Sequence, residues 1–258
     1  MPIHPTAIVD PAARVDETAI VGPFCVIGPE VEIGARTELK AHVYCEGPTW
    51  IGEENLCYPY SSIGVASQDL KYNGERAETR IGSRNKIREF VTIHRGTAGG
   101  GLKTSIGDDN LLMAYTHVAH DVQLGSHCVL ANATTLGGHV TIGDWAVIGA
   151  FTGVHQFCRI GRHSMIGGYS VITQDVMPFA TIVTPRESKA FGANATGLER
   201  RGFDAALIEN LQNALRLLTR GQLNTSQAID RIREEIPACA EVDELIDFIQ
   251  SSERGVIK

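Results

Sequence analysis

Three histidines carry the first chemical signal in this chain. His120, His139 and His155 are separated by 19 and 16 residues, close to a common interval of 18, and Asp121 follows His120 directly. Imidazole is the side chain whose charge changes near neutral pH, so an aligned set can supply a general base or neutral metal ligands. His94 joins them once a seven-residue enlargement of its own interval is allowed for. His117 and His120 form an H-x-x-H pair that alone specifies little.

An interval of 18 has meaning only if the backbone returns to the same place every 18 residues. The hydrophobic pattern says that it does. An aliphatic or cysteine side chain recurs every sixth residue from Ile3 through Val9, Val15, Val21 and Ile27 to Ile63. The beat resumes at Ile81, Ile87 and Ile93 and runs from Ile106 to Ile172, 26 hexads in all. Six is neither the helical period nor that of a plain strand, and it marks a repeat architecture. Glycine often follows the aliphatic, as at Gly22, Gly28 and Gly34, and a small residue lies four places after it, as at Cys25, Thr134 and Thr152. Each hexad therefore reads as a short strand with two inward positions and a glycine-rich corner. Such strands must pair with the next coil in parallel, about 4.8 Å away. The fold class expected is mainly β, a parallel β-helix of roughly nine turns and on the order of 40 Å in height.

The beat breaks twice, giving loops at about 65–79 and 98–104. Loops on a rigid scaffold are where function sits. Asn55, Asn85 and Asn110 fill the small inward position in I-G-x-x-N hexads and read as backbone-bonding turn residues. After Val176 the pattern dies, and a stretch containing Pro178 and Pro185 leads to helical spacing. Leu207, Leu211, Ala214 and Leu218 share one face, with Asp204 as N-cap and Gly221 at the far end. A second helix starts after Asn224 or Thr225 and a third covers about 241–250. The domains expected are a β-helix over 1–190 and a helical domain over 191–258.

Composition narrows the function. A net charge of −7 speaks against a general nucleic-acid surface. No apolar run reaches membrane-spanning length and no basic-then-apolar leader opens the chain, so the expected location is the cytoplasm. Cys25, Cys45, Cys57, Cys128 and Cys158 fall on inward hexad positions and read as small core hydrophobes rather than disulfide or metal ligands.

Six motifs occur in order: Gln-Asp-Leu-Lys-Tyr (68–72), Ile-His-Arg-Gly-Thr (93–97), Asp-Asn-Leu-Leu-Met (109–113), His-Val-Ala-His-Asp (117–121), Val-His-Gln-Phe-Cys (154–158) and Arg-Arg-Gly-Phe (200–203). With the hexads they resemble the acyl-[acyl-carrier-protein]–UDP-N-acetylglucosamine O-acyltransferases, which open lipid A synthesis, within the hexapeptide-repeat acyltransferases. The resemblance runs end to end. It implies a left-handed helix of triangular section, a homotrimer, no cofactor and no bound metal. It also implies two substrates, UDP-N-acetylglucosamine and an acyl carrier protein bearing a 3-hydroxyacyl chain. By resemblance His120 is the base, Asp121 orients it, and the Gly138 N–H holds the oxyanion. Asp69, Lys71, His117, His139, His155, Gln156, Asn194, Arg200 and Arg201 would bind substrate. Gly168, with no side chain to block an acyl groove, would admit about twelve to fourteen carbons. Arg216 and Arg220, with Arg200 and Arg201, form a candidate basic patch for the acidic carrier. Thr196 stands where the family often has Glu. Two other readings compete on the residues alone: a zinc-dependent hydratase, built on the same prism by the γ-class carbonic anhydrases, and a non-catalytic binding prism.

Overall fold

A computed structural model describes residues 3–183, 189–220 and 223–258, with the Arg220 side chain outside that set. Pro185, the Gly221 helix end and the Arg220 part of the basic patch therefore lie outside the described residues.

The hexads fold as a left-handed parallel β-helix of three walls. Wall 1 has nine strands from Ile8–Val9 to Val171–Ile172, wall 2 has eight from Arg14–Val15 to Arg159–Ile160, and wall 3 has ten from Ile20–Val21 to Lys189–Ala193. Within each wall every strand pairs in parallel with the strand one coil on, as Val118 does with Leu136 and Leu136 with Val154. The exception is the last pair of wall 3, where Ala180–Val183 and Lys189–Ala193 form an antiparallel hairpin. The beat of aliphatics becomes the core: Ile63, Ile93, Leu112, Val118, Leu136 and Ile148 are fully buried. The five inward cysteines are buried free thiols.

The corners differ from the sequence expectation in one respect. Glycine does not make the bend; the left-handed residue is the third after the aliphatic and is seldom glycine, as in Phe24, His42, Tyr60, Asp121, His139 and Phe157. Left-handed backbone disfavours a Cβ, and contacts between side chains at successive corners offset it. Along the ridge between walls 3 and 1, the rings of Phe24, His42, Tyr60, Phe90 and Tyr115 stack at 4.8–5.1 Å. The ridge between walls 2 and 3 instead alternates charge through Arg36, Glu54, Arg84 and Asp109. Where glycine follows a strand, the next coil comes close to it. At Gly34 a Cβ would meet the Gly52 carbonyl at 2.7 Å.

Inside the prism, Asn55, Asn85 and Asn110 form the expected ladder. Asn85 Oδ1 accepts from Asn110 N at 2.9 Å, while its Nδ2 donates to Asn55 Oδ1 at 3.0 Å and to the Gly107 carbonyl at 2.9 Å. Four helices follow the hairpin: α1 (Ala195–Arg200), α2 (Ala205–Arg220), α3 (Thr225–Glu235) and α4 (Ala240–Gln250). Asp204 Oδ1 accepts from Leu207 N at 2.8 Å, as a cap of α2 should, and Asn224 with Gln227 makes a capping box on α3. The short α1 and the hairpin have no counterpart in the sequence reading.

The Asn ladder yields a stability prediction. Asn85→Ala strands the buried Asn110 N–H and the Gly107 carbonyl, and leaves Asn55 Oδ1 with only the Asn85 N–H, so it should cost about 2–4 kcal/mol. Denaturant unfolding followed by circular dichroism measures it; an unchanged midpoint would contradict the ladder's role.

Candidate active site

All the loop chemistry converges on the ridge between walls 1 and 2. The first loop leaves wall 1 after Ser62–Val65 and rejoins wall 2 at Glu78–Ile81; the second leaves after Thr92–His94 and rejoins at Lys103–Ile106. His120 and Asp121 turn the same corner one coil above, Gly138 and His139 the next, and Gln156 and Phe157 the next again. Successive coils thus place unlike residues in one column, about 4.8 Å apart.

His120 is the centre of this column. Its Nδ1 lies 2.8 Å from Asp121 Oδ2. The Asp121 side chain is 1% exposed and is held by the last residue of the Ile-His-Arg-Gly-Thr motif, to which sequence reasoning gave no role. Thr97 donates its N–H to Oδ1 at 2.9 Å and its hydroxyl to Oδ2 at 2.5 Å. The second loop is built to permit this, because a Cβ on Gly100 would fall 2.0 Å from Asp121 Cγ. With Nδ1 committed to the carboxylate, Nε2 is the open nitrogen, and it faces Asp69 Oδ2 at 4.0 Å. The Asp69 loop is fastened to the Thr97 loop by Glu75, whose carboxylate accepts from Asn73 N and Ala98 N, each at 2.9 Å. Arg95 anchors the roots of both loops through Gly64 O at 2.8 Å and Glu46 at 2.5 Å.

Gly138 covers the His120 ring so closely that a Cβ there would meet Nε2 at 2.5 Å. Its N–H occupies the second corner position, which the coil leaves without a backbone partner; Pro5, Pro11, Pro23, Pro29 and Pro59 occupy the same position elsewhere because no donor is needed. A groove of about 430 Å³ runs from Gly138, His155 and Gln156 across the wall 1 face over Thr135, Gly153 and Val171.

The surrounding histidines are held neutral. Burial lowers His94 to about 4 and also lowers His117 and His139, with His120 adding to the effect on each. His94 stands on the ridge as expected, but it is 3% exposed because the two loops cover it. His117 lies one strand position before the corner, 2.7 Å from Thr92 Oγ1, edge-on to His94. His139 sits edge-on to His120 and stacks flat on Phe157 at 4.3 Å. The zinc reading used His117 with His120. The ligand atoms that do converge, within 4.8 Å, are those of His120, Asp121 and His139, and both Asp121 oxygens already accept hydrogen bonds from Thr97.

The other expected residues lie elsewhere. Lys71 is exposed on the first loop. Asn194 caps α1, accepting from Gly197 N and donating to the His163 carbonyl. Arg201 stacks over Trp145, 5.1 Å from its centroid, beside the exposed Arg200. Trp145 and His163 belong to the ridge between walls 2 and 3, so this group stands a full wall away from His120, roughly 15–20 Å along the chain. Gly168 is exposed on the third ridge, at the head of the strand whose Val171 lines the groove.

Comparison with known proteins now decides the family. Residues 175–257 match the family described as UDP N-acetylglucosamine O-acyltransferase, domain 2, and residues 103–138 and 139–174 match the bacterial transferase hexapeptide repeats. The UDP-N-acetylglucosamine O-acyltransferase of Moraxella catarrhalis is 43% identical with a TM-score of 0.96, each chain covered over 100% of its length. The enzyme of Bacteroides fragilis is 39% identical over 99% of this chain and 100% of its own, with a TM-score of 0.97. That of Arabidopsis is 32% identical over 99% and 100%, with a TM-score of 0.84. The chain belongs to the UDP-N-acetylglucosamine O-acyltransferase family. Membership gives it an enzyme's identity and accounts for the helical tail as well as the prism. Within the family frame, Gly100 and Glu75 stand out as supports of the ridge outside the quoted motifs, and Thr97 as a motif residue whose role only the structure gives.

The neutral histidines predict a pH dependence of stability. The unfolded chain protonates His94 from about pH 6.5 downward, whereas the folded chain resists until about 4. Stability is therefore full above pH 6.5 and lost as pH falls toward 4, by on the order of 3 kcal/mol for this residue. Thermal melts from pH 7.5 to 4.5 should show the decline, and His94→Gln should flatten it.

Proposed function

We propose that this protein transfers an (R)-3-hydroxyacyl group from acyl carrier protein to the 3-position of UDP-N-acetylglucosamine, the first step of lipid A biosynthesis. His120 acts as general base. The observation that carries this reading is the His120–Asp121–Thr97 chain lying directly beneath Gly138. A carboxylate at Nδ1 fixes the tautomer that leaves Nε2 unprotonated and stabilises the imidazolium formed later.

The sugar hydroxyl, placed by the Asp69 loop, loses its proton to Nε2 as its oxygen attacks the thioester carbonyl. The Gly138 N–H takes the oxyanion. Collapse breaks the C–S bond, and the imidazolium returns the proton to the departing thiolate, leaving an ester and a free thiol. A direct transfer suits the cysteines, of which five are buried in the core, with burial raising Cys57 and Cys128 to about 12. His117, His139, His155, Gln156 and Lys71 line the approach of the nucleotide sugar and donor.

The acyl chain occupies the groove over Thr135, Gly153 and Val171, and Gly168 leaves its far end unobstructed. Asn194, Arg200 and Arg201 serve the nucleotide of a site on another copy, because the rigid prism keeps their ridge from reaching their own His120. A homotrimer meets this need. No helix among the described residues is long and apolar enough to cross a membrane, and we place the reaction in the cytoplasm.

Incubating the protein with UDP-N-acetylglucosamine and a ladder of 3-hydroxyacyl carrier proteins, then weighing the products, tests donor and acceptor together. His120→Ala should lower kcat by about 10²–10⁴-fold with the fold intact. Retained activity would remove the base. Gly168→Met should shift the preferred donor to a shorter chain, and an enzyme still preferring the long one would refute the open-groove account.

A further inference from the structure

We infer that a second cavity, at the top of the catalytic ridge, binds the phosphate on the thiol-bearing arm of the acyl donor through Arg254. The inference rests on the acyl-transfer reading above. The cavity, about 490 Å³, is lined by Phe157, Arg159, Asp175, Ser251, Glu253 and Arg254. Phe157 is the residue after Gln156 on the ridge, and its ring stacks on His139, which in turn meets His120 edge-on. The cavity therefore opens one coil above the oxyanion position, on the wall 2 side, while the acyl groove lies on the wall 1 side.

Its walls are fixed in advance. Asp175, 2% exposed, accepts from Arg159 N and Nε at 2.8 Å and from Ser252 Oγ at 2.9 Å. Backbone bonds from Asp175 N to Gly255 O and from Ile257 N to Asp175 O sew the tail onto the last coil. Arg159 spends its charge on Asp175 and its remaining N–H groups on Phe248 O and Ser251 Oγ. Arg254 differs: it makes no ion pair among the described residues, and its guanidinium lies 5.8 Å from the Phe157 centroid. Glu253, the one lining carboxylate not engaged by a cation, is exposed at the rim.

Topology assigns the ligand. The nucleotide sugar approaches on the loop carrying Asp69, which rises from two coils below His120. The acyl chain leaves across wall 1. The remaining leg of the thioester, the carrier's arm with its phosphate, must depart upward, and an open guanidinium stands there. A carrier arm is amide-rich and anionic at its end, which suits a cavity floored by one phenyl ring and edged by serine and arginine.

The test compares two small donors with the same acyl chain, acyl-phosphopantetheine and acyl-pantetheine without the phosphate, on wild type and Arg254→Gln. Wild type should use the phosphorylated donor about tenfold better in kcat/KM. Arg254→Gln should erase that preference by lowering only the phosphorylated value, leave the KM for UDP-N-acetylglucosamine unchanged, and be partly rescued by Arg254→Lys. A preference that survives in Arg254→Gln overturns the subsite. A raised KM for the nucleotide sugar instead assigns Arg254 to the nucleotide diphosphate and also overturns it. A wild-type protein that acylates the sugar from neither small donor nor the carrier overturns the acyl-transfer reading, and the subsite with it.

Discussion

Everything at this site depends on one geometric constraint: the chain returns to the same corner, one strand spacing higher, after every coil. Backbone hydrogen bonds between coils fix the vertical step, and the left-handed third residue fixes the turn. A side chain at a corner thus has neighbours that are distant in sequence but set in space to within a fraction of an ångström. Evolution of such a site needs no special loop to bring residues together, only a choice of what each coil shows at that corner. The three ridges bear this out with different chemistries, stacked rings on one, alternating charge giving way to stacked rings on another, and histidine with carboxylate on the third.

The constraint also fixes the electrostatics. Around His120 the nearest ring is another imidazole, and burial keeps His94, His117 and His139 uncharged near neutral pH. A ridge of several imidazolium ions would repel both itself and an arriving proton. The buried Asp121 carboxylate stands at hydrogen-bond distance from His120 alone among these rings. His139 Nδ1, 3.9 Å from the same carboxylate, is beyond bonding reach.

Much of this was legible in the sequence because the repeat makes spatial period equal to sequence period. The hexad gave the walls, the count of 18 gave the ridge, and the loop insertions gave its roof. The Asn ladder and the caps at Asp204 and Asn224 followed from local chemistry that acts within a few residues. What escaped lies where that equality fails. Thr97 meets Asp121 across 24 residues and an irregular loop, so no periodic count connects them. Gly100, in the same loop, makes room for that carboxylate, a close approach no local pattern announces. The antiparallel hairpin and α1 follow the last hexad, where the pattern carries no instruction, and Asn194 turned out to cap a helix that had not been foreseen.

The same rigidity that makes the histidine ridge readable explains why one chain does not gather every expected substrate contact. A prism wall cannot fold over: each of its strands is bonded to coils above and below, and its corners are pinned by stacked side chains and a filled core. Arg201, seated on Trp145, and Asn194, bonded to His163, stay on their ridge whatever the ligand. A flexible enzyme could close a domain to bring such groups to the base. Here the only economical motion is of whole prisms relative to one another, so completing the site by packing the charged ridge of one copy near the histidine ridge of the next requires no internal rearrangement. Under the proposed trimer, substrate positioning and subunit assembly become one energetic problem, and a substitution that loosens the prism contact should disturb nucleotide binding before it disturbs the base.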